Sequence, residues 1–101
     1  MRVIVLFDLP SISLDEKREY RKFRKYLLRM GFIMVQESVY SKLVLNGTVA
    51  KGMLSNIKRN KPSTGLVQVL VITESQYSKM VFIVGEKKND VIDSDERLIV
   101  L

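Results

Sequence analysis

Asp8 closes an almost unbroken apolar run, "VIVLFDLP" over residues 3–10. A carboxylate at the end of a buried-looking strand has two readings. It can cap the turn through "DLPS" by accepting hydrogen bonds from backbone amides. It can also be a ligand for a hard cation, since magnesium often takes only one or two carboxylates and keeps several waters. Two copies of Asp8 meeting across a dimer axis would supply two. Magnesium held there would activate water or bind a phosphate for phosphodiester hydrolysis. Both readings stay open on these residues alone.

The composition narrows what other chemistry the chain can do. It has 101 residues, with no cysteine and no histidine. That excludes disulfides, thiolate metal sites, Ser-His and Cys-His catalysis and the usual zinc sites. Carboxylates, lysines, tyrosines or a hard metal ion remain.

The second group of candidate residues is cationic. The net charge is +6, unevenly spread: residues 1–85 carry 14 basic and 6 acidic side chains, and residues 86–101 carry 3 basic and 5 acidic. A basic body suits a polyanion, most often nucleic acid. Arg18, Arg21, Lys22, Lys25 and Arg29 recur at helical spacing close to one face. Such a row can contact several phosphates of a duplex. No aromatic residue interleaves with it, so the row points to backbone contact without base reading; a solvated helix face is the plainer alternative. Lys58 and Arg59, with Lys61, form a second cluster, and their cations also suit a helix C-terminus. Asp90, Asp93, Asp95 and Glu96 lack the ligand spacing of a calcium loop and read as a solvated linker.

The elements that must position these groups follow from patterning. "RVIVLFDL" reads as a central strand. Ser13 and Glu16 match a capping box, so a helix is predicted from Leu14 to about Met30, stopped by Gly31. Its apolar stripe is Tyr20, Phe23, Leu27 and Met30. "FIMVQESVYSKLVL", 32–45, is too long for one straight strand and is predicted to break near Gln36 and Glu37. A second helix is predicted over 48–61, with Thr48 as N-cap and Val49, Met53, Leu54 and Ile57 inward. Strands are predicted over 66–73 and 81–86, joined by a polar connection, 74–80. Residues 87–96 read as an acidic linker and "RLIVL", 97–101, as a terminal strand.

This order matches the ferredoxin-like βαββαβ arrangement, an α+β fold with two helices on one face of the sheet, followed by short C-terminal strands. The expected division is a domain over 1–86 and a linker with terminal strand over 87–101. Two helices cover one sheet face, so a second copy is the economical cover for the other, and a homodimer is expected. The apolar terminal segment, Arg97, Leu98, Ile99, Val100 and Leu101, is expected to pair with a sheet edge of another chain rather than fold back on its own. No membrane-length apolar run or signal-peptide pattern occurs, and a cytoplasmic location is the simplest expectation.

"FDLP" ending a first strand, the basic first helix and "GFIMVQESVYSK" together resemble the CRISPR-associated protein two family. The most specific piece is Val35, Gln36, Ser38, Val39 and Tyr40; the family often has phenylalanine where Tyr40 stands. The trailing acidic linker and "RLIVL" resemble the end of type II system members. The resemblance implies a ferredoxin-like homodimer that bridges two dimers of the CRISPR integrase and holds the backbone of duplex DNA during spacer acquisition. It implies that the C-terminal strand contacts the integrase. Several members are described as metal-dependent nucleases acting on RNA or duplex DNA. The residue implicated there corresponds to Asp8, with Ser38 in the same motif.

Overall fold

The computed structural model describes residues 1–86. Seven elements run in the order β1 (Arg2–Asp8), α1 (Leu14–Arg29), β2 (Ile33–Gln36), β3 (Val39–Leu43), α2 (Gly47–Arg59), β4 (Leu66–Ile72) and α3 (Glu74–Ser78). The strands form one antiparallel sheet in the order β2-β3-β1-β4. This is a small α+β fold with the strand order of the βαββαβ arrangement.

α1 begins as its capping box dictates. Ser13 Oγ accepts from the Glu16 amide, and Glu16 Oε1 accepts from the Ser13 and Ile12 amides at 3.0 and 3.1 Å. These bonds satisfy helix-end donors that would otherwise lack partners. They also hold the Glu16 carboxyl below its ordinary range, the Ser13 backbone contact contributing most. At the other end Gly31 takes φ +92° and Lys42 Nζ donates to the Met30 carbonyl. α2 is capped by Asn46, whose side chain accepts from the Val49 amide. The cap therefore lies two residues before the predicted Thr48, and Ala50 rather than Val49 faces inward.

The core lies between the helices and one face of the sheet. Val3, Val5 and Phe7 of β1 alternate toward it and join Phe23, Tyr26 and Leu27 of α1 and Ala50, Met53 and Ile57 of α2. Phe7 is its aromatic centre. Its ring packs edge-on against Phe23 at 5.2 Å between centroids and lies 5.7 Å from both Tyr20 and Tyr40.

The intervening β1 residues, Arg2, Ile4, Leu6 and Asp8, fall on the opposite face. In register beside them are Leu43, Ser41 and Val39 of β3 and Ile72, Leu70, Gln68 and Leu66 of β4. α1 and α2 leave this face uncovered, α3 meets it at the Arg2 end, and Ile33, Leu43, Leu66 and Leu70 remain exposed on it.

Two predicted segments differ. Residues 74–80 hold a short helix rather than a polar connection. Thr73 caps it and Gln76 closes a second capping box, the same signature that starts α1. Residues 81–86 form no strand. Val81, Ile83 and Val84 are highly exposed, and the chain turns at Gly85, φ +89°. Strand-favouring side chains do not make a strand without a neighbour to take their backbone hydrogen bonds. The predicted acidic linker and the terminal segment 97–101 lie outside the described residues.

Candidate functional site

Asp8 is the last residue of β1 and is exposed. By the alternation of the strand its side chain belongs to the open sheet face, at the far end of that face from Arg2. Among the described residues its carboxylate makes no hydrogen bond and no ion pair, so it does not cap the "DLPS" turn through its side chain.

The backbone around Asp8 is held from both sides. On one side β4 pairs Asp8 with Leu66. The preceding Gly65 takes φ +94°, and a Cβ there would stand 2.8 Å from the Asp8 carbonyl oxygen and 2.7 Å from Leu9 Cδ2. Only glycine combines that conformation with that approach. On the other side the Phe7 amide donates to the Ser38 carbonyl at 3.0 Å.

Ser38 closes the tight turn between β2 and β3 with φ +64°, the only positive φ among the described non-glycine residues. Its hydroxyl lies 3.2 Å from the Tyr20 hydroxyl of α1. The structure thus brings Ser38 beside the end of β1, but its side chain is engaged with the helix layer while Asp8 belongs to the open face. Ser38 acts on the site through its backbone and its turn, not as a second polar group next to the carboxylate. Sequence reasoning missed Tyr20, which it placed only in an apolar stripe.

The fit to magnesium can be judged on these donors. An exposed carboxylate free of internal partners suits a hydrated hard cation. Asp8 is one such group, and among the described residues no three carboxylates gather to hold a metal.

At the opposite end of the open face Arg2 is mostly buried. Its Nε and Nη2 reach the two Glu74 carboxylate oxygens at 2.6 and 2.8 Å, Nη1 donates to Ser41 Oγ at 3.2 Å, and the guanidinium stands 4.2 Å over the Tyr77 ring. The hydrogen bond to Glu74 is the main reason its pKa is raised further. These contacts fasten α3 to the sheet.

The cations lie on the outer surface of the helix layer. Arg18, Arg21, Lys22, Lys25 and Arg29 are all exposed and turn away from buried Phe23, Tyr26 and Leu27. Arg18 pairs with Asp15 at 3.0 Å. The other four have no ion-pair partner among the described residues. Lys58 and Arg59 lie exposed in the last turn of α2, where Arg59 also donates to the Asn56 side chain. No helix among the described residues is long and apolar enough to cross a membrane.

A βαββαβ sheet with a lone carboxylate at the end of β1 and a cationic helix surface defines a small α+β class with known members. The family model described as "CRISPR associated protein Cas2" matches residues 1–80. The chain is 55% identical over 101 residues to a CRISPR-associated endoribonuclease Cas2 of Treponema denticola, with both chains covered in full. It is 45% identical to the protein of the same name from Streptococcus mutans UA159, covering 100% of this chain and 93% of that one. Among solved structures, Streptococcus pyogenes Cas2 at pH 6.5 superposes with a TM-score of 0.62 at 14% identity, covering 83% of this chain and all of that one. A second Cas2 crystal structure gives 0.58 at 20% identity, covering 91% and 94%. These two likenesses concern the fold alone. The chain belongs to the Cas2 family.

Proposed function

We propose that the chain works as a homodimer in CRISPR adaptation, bridging integrase subunits and gripping the backbone of duplex DNA. The observation that carries this is the outward row on α1, where Arg21, Lys22, Lys25 and Arg29 spend no charge on internal partners. Cations on a rigid helix suit phosphate contact without base reading. The open apolar sheet face supports the dimer. The apolar segment 97–101 is assigned to the integrase contact, as the family resemblance implies.

The test is duplex binding at several salt concentrations. Replacing Arg21, Lys25 and Arg29 together by alanine should weaken binding to unrelated sequences alike and lower the salt slope by roughly 2 to 3, about 0.9 per lost phosphate contact. An unchanged slope would remove the row from the interface. For the integrase contact, a chain ending at residue 96 should fail to co-purify with the integrase; full recovery would sink that assignment.

A second reading is favoured by the free Asp8 carboxylate and by the relatives' name, endoribonuclease. In it the chain cleaves RNA phosphodiesters with magnesium held by Asp8 of both protomers. When bound, the ion would supply charge neutralisation at the phosphate and a more acidic water. Asp8→Ala should abolish such cleavage while leaving thermal stability unchanged. Cleavage that persists in excess chelator would contradict the reading.

A further inference from the structure

We infer that Tyr20 is a positioning residue for the Asp8 end of β1, acting through Ser38. The inference rests on the reading of Asp8 as the functional carboxylate. The left-handed region is disfavoured for residues other than glycine. Ser38 stands there at φ +64°. Something must hold it, and among the described residues its side chain has one partner, the Tyr20 hydroxyl at 3.2 Å. Tyr20 is itself anchored, since α1 carries it and its ring packs on Phe7 at 5.7 Å.

The consequence reaches Asp8 through one hydrogen bond and one residue of chain. With Ser38 in this conformation its carbonyl accepts from the Phe7 amide at 3.0 Å. That bond secures β1 one residue before Asp8, on the side away from β4. On the other side β4 pairs Asp8 with Leu66, and Gly65 leaves free the space beside the Asp8 carbonyl that a Cβ would fill. The end of β1 is therefore held between the β2–β3 turn and β4. Of the two, only the turn depends on a side-chain hydroxyl from the helix layer. Helix α1, with its cations outside and Tyr20 inside, links the cationic surface to the position of the carboxylate.

The mechanism makes a specific demand. If Tyr20 works by holding Ser38 left-handed, glycine at position 38 makes the Tyr20 hydroxyl dispensable, because glycine adopts that conformation freely. The experiment compares full-length wild type, Tyr20→Phe, Ser38→Gly and the double variant. Native-state amide exchange is read at Phe7, with Val3 and Val5 in the same strand as the reference for global opening. Tyr20→Phe should speed exchange at Phe7 between about twofold and tenfold relative to that reference, the worth of one net hydrogen bond. The double variant should return to the Ser38→Gly value. If Phe7 exchange in Tyr20→Phe changes only in step with Val3 and Val5, or if glycine at 38 fails to rescue it, the inference is overturned.

Manganous ion, a paramagnetic stand-in for magnesium, supplies a second readout through line broadening of the Asp8 and Leu9 amides. Its midpoint should rise in Tyr20→Phe and recover in the double variant; a midpoint that rises without recovering counts against the inference. Wild type showing no broadening at Asp8 would overturn the metal reading of Asp8, and the exchange data would still decide the role of Tyr20.

Discussion

The two faces of the sheet are built from the same strands and end in different states. On the helix face, Val3, Val5 and Phe7 alternate into a core with Phe23, Leu27, Met53 and Ile57, all buried. On the other face, Leu43, Leu66 and Leu70 are each more than half exposed. Both faces are apolar, so composition alone does not separate them. What separates them is connection: α1 and α2 each span back over one face, as crossovers in this topology must. The chain thus completes one core by itself and leaves a second apolar layer that needs another surface.

The largest test of that contrast is in the closed face. Leu27 has no exposed surface. Leu27→Ala should cost roughly 2–5 kcal/mol, transfer plus cavity, measured by chemical denaturation. That loss should appear in full at every protein concentration, separate from any contribution of association. Substitutions on the open face should instead have effects that grow with concentration, because there stability is tied to association. A Leu27→Ala loss below about 1 kcal/mol would mean that the helix-face core is not the main source of stability.

A smaller effect is expected at the Arg2 end, where the open face is partly finished by α3. Arg2→Ala removes the paired hydrogen bonds to Glu74, the Ser41 contact and the stack on Tyr77. Glu74 is about half exposed, which screens the pair, so a loss of about 1–2 kcal/mol is expected. Its signature should be local, with exchange in 74–78 rising more than in β1. Equal change in both would argue that α3 is not held by Arg2.

The smallest effect lies at the α1 cap, on the closed side. Glu16 has its carboxyl lowered in the folded chain by the amides of Ser13 and Ile12. A lowered acid contributes stability that is present above its unfolded pKa and is lost as pH falls through the folded value. Acidification below the ordinary carboxylate range should therefore loosen the first turn of α1, seen as faster exchange at Glu16 and Lys17. Glu16→Gln should remove that acid dependence. A turn equally sensitive in both proteins would place its acid response elsewhere.

Much of the closed face was readable in advance. The Ser13–Glu16 box, the left-handed stop at Gly31 and the break after Gln36 are local signals, and each stands where patterning puts it. α3 carried the same kind of signal in Thr73 and Gln76 but was hidden among polar residues. Residues 81–86 misled because β propensity is a statement about neighbours, and the described chain offers this segment none. At the site, the strand-end position of Asp8 was legible from the apolar run before it. The role of Ser38 was not, because it depends on one dihedral angle and on a hydroxyl 18 residues earlier in the chain.

The open face carries the central claim, that a second copy of this chain covers it and brings two Asp8-bearing strand ends into one assembly. The direct measurement is sedimentation equilibrium on the wild type and on Leu70→Glu, across concentrations into the tens of micromolar. Leu70 is 54% exposed, so a glutamate there is tolerated by a single chain. The account predicts a wild-type mass of twice the 11.7 kDa chain, and a folded monomer for Leu70→Glu. A wild type that stays monomeric throughout, or a Leu70→Glu variant that dimerises as tightly as the wild type, would contradict it.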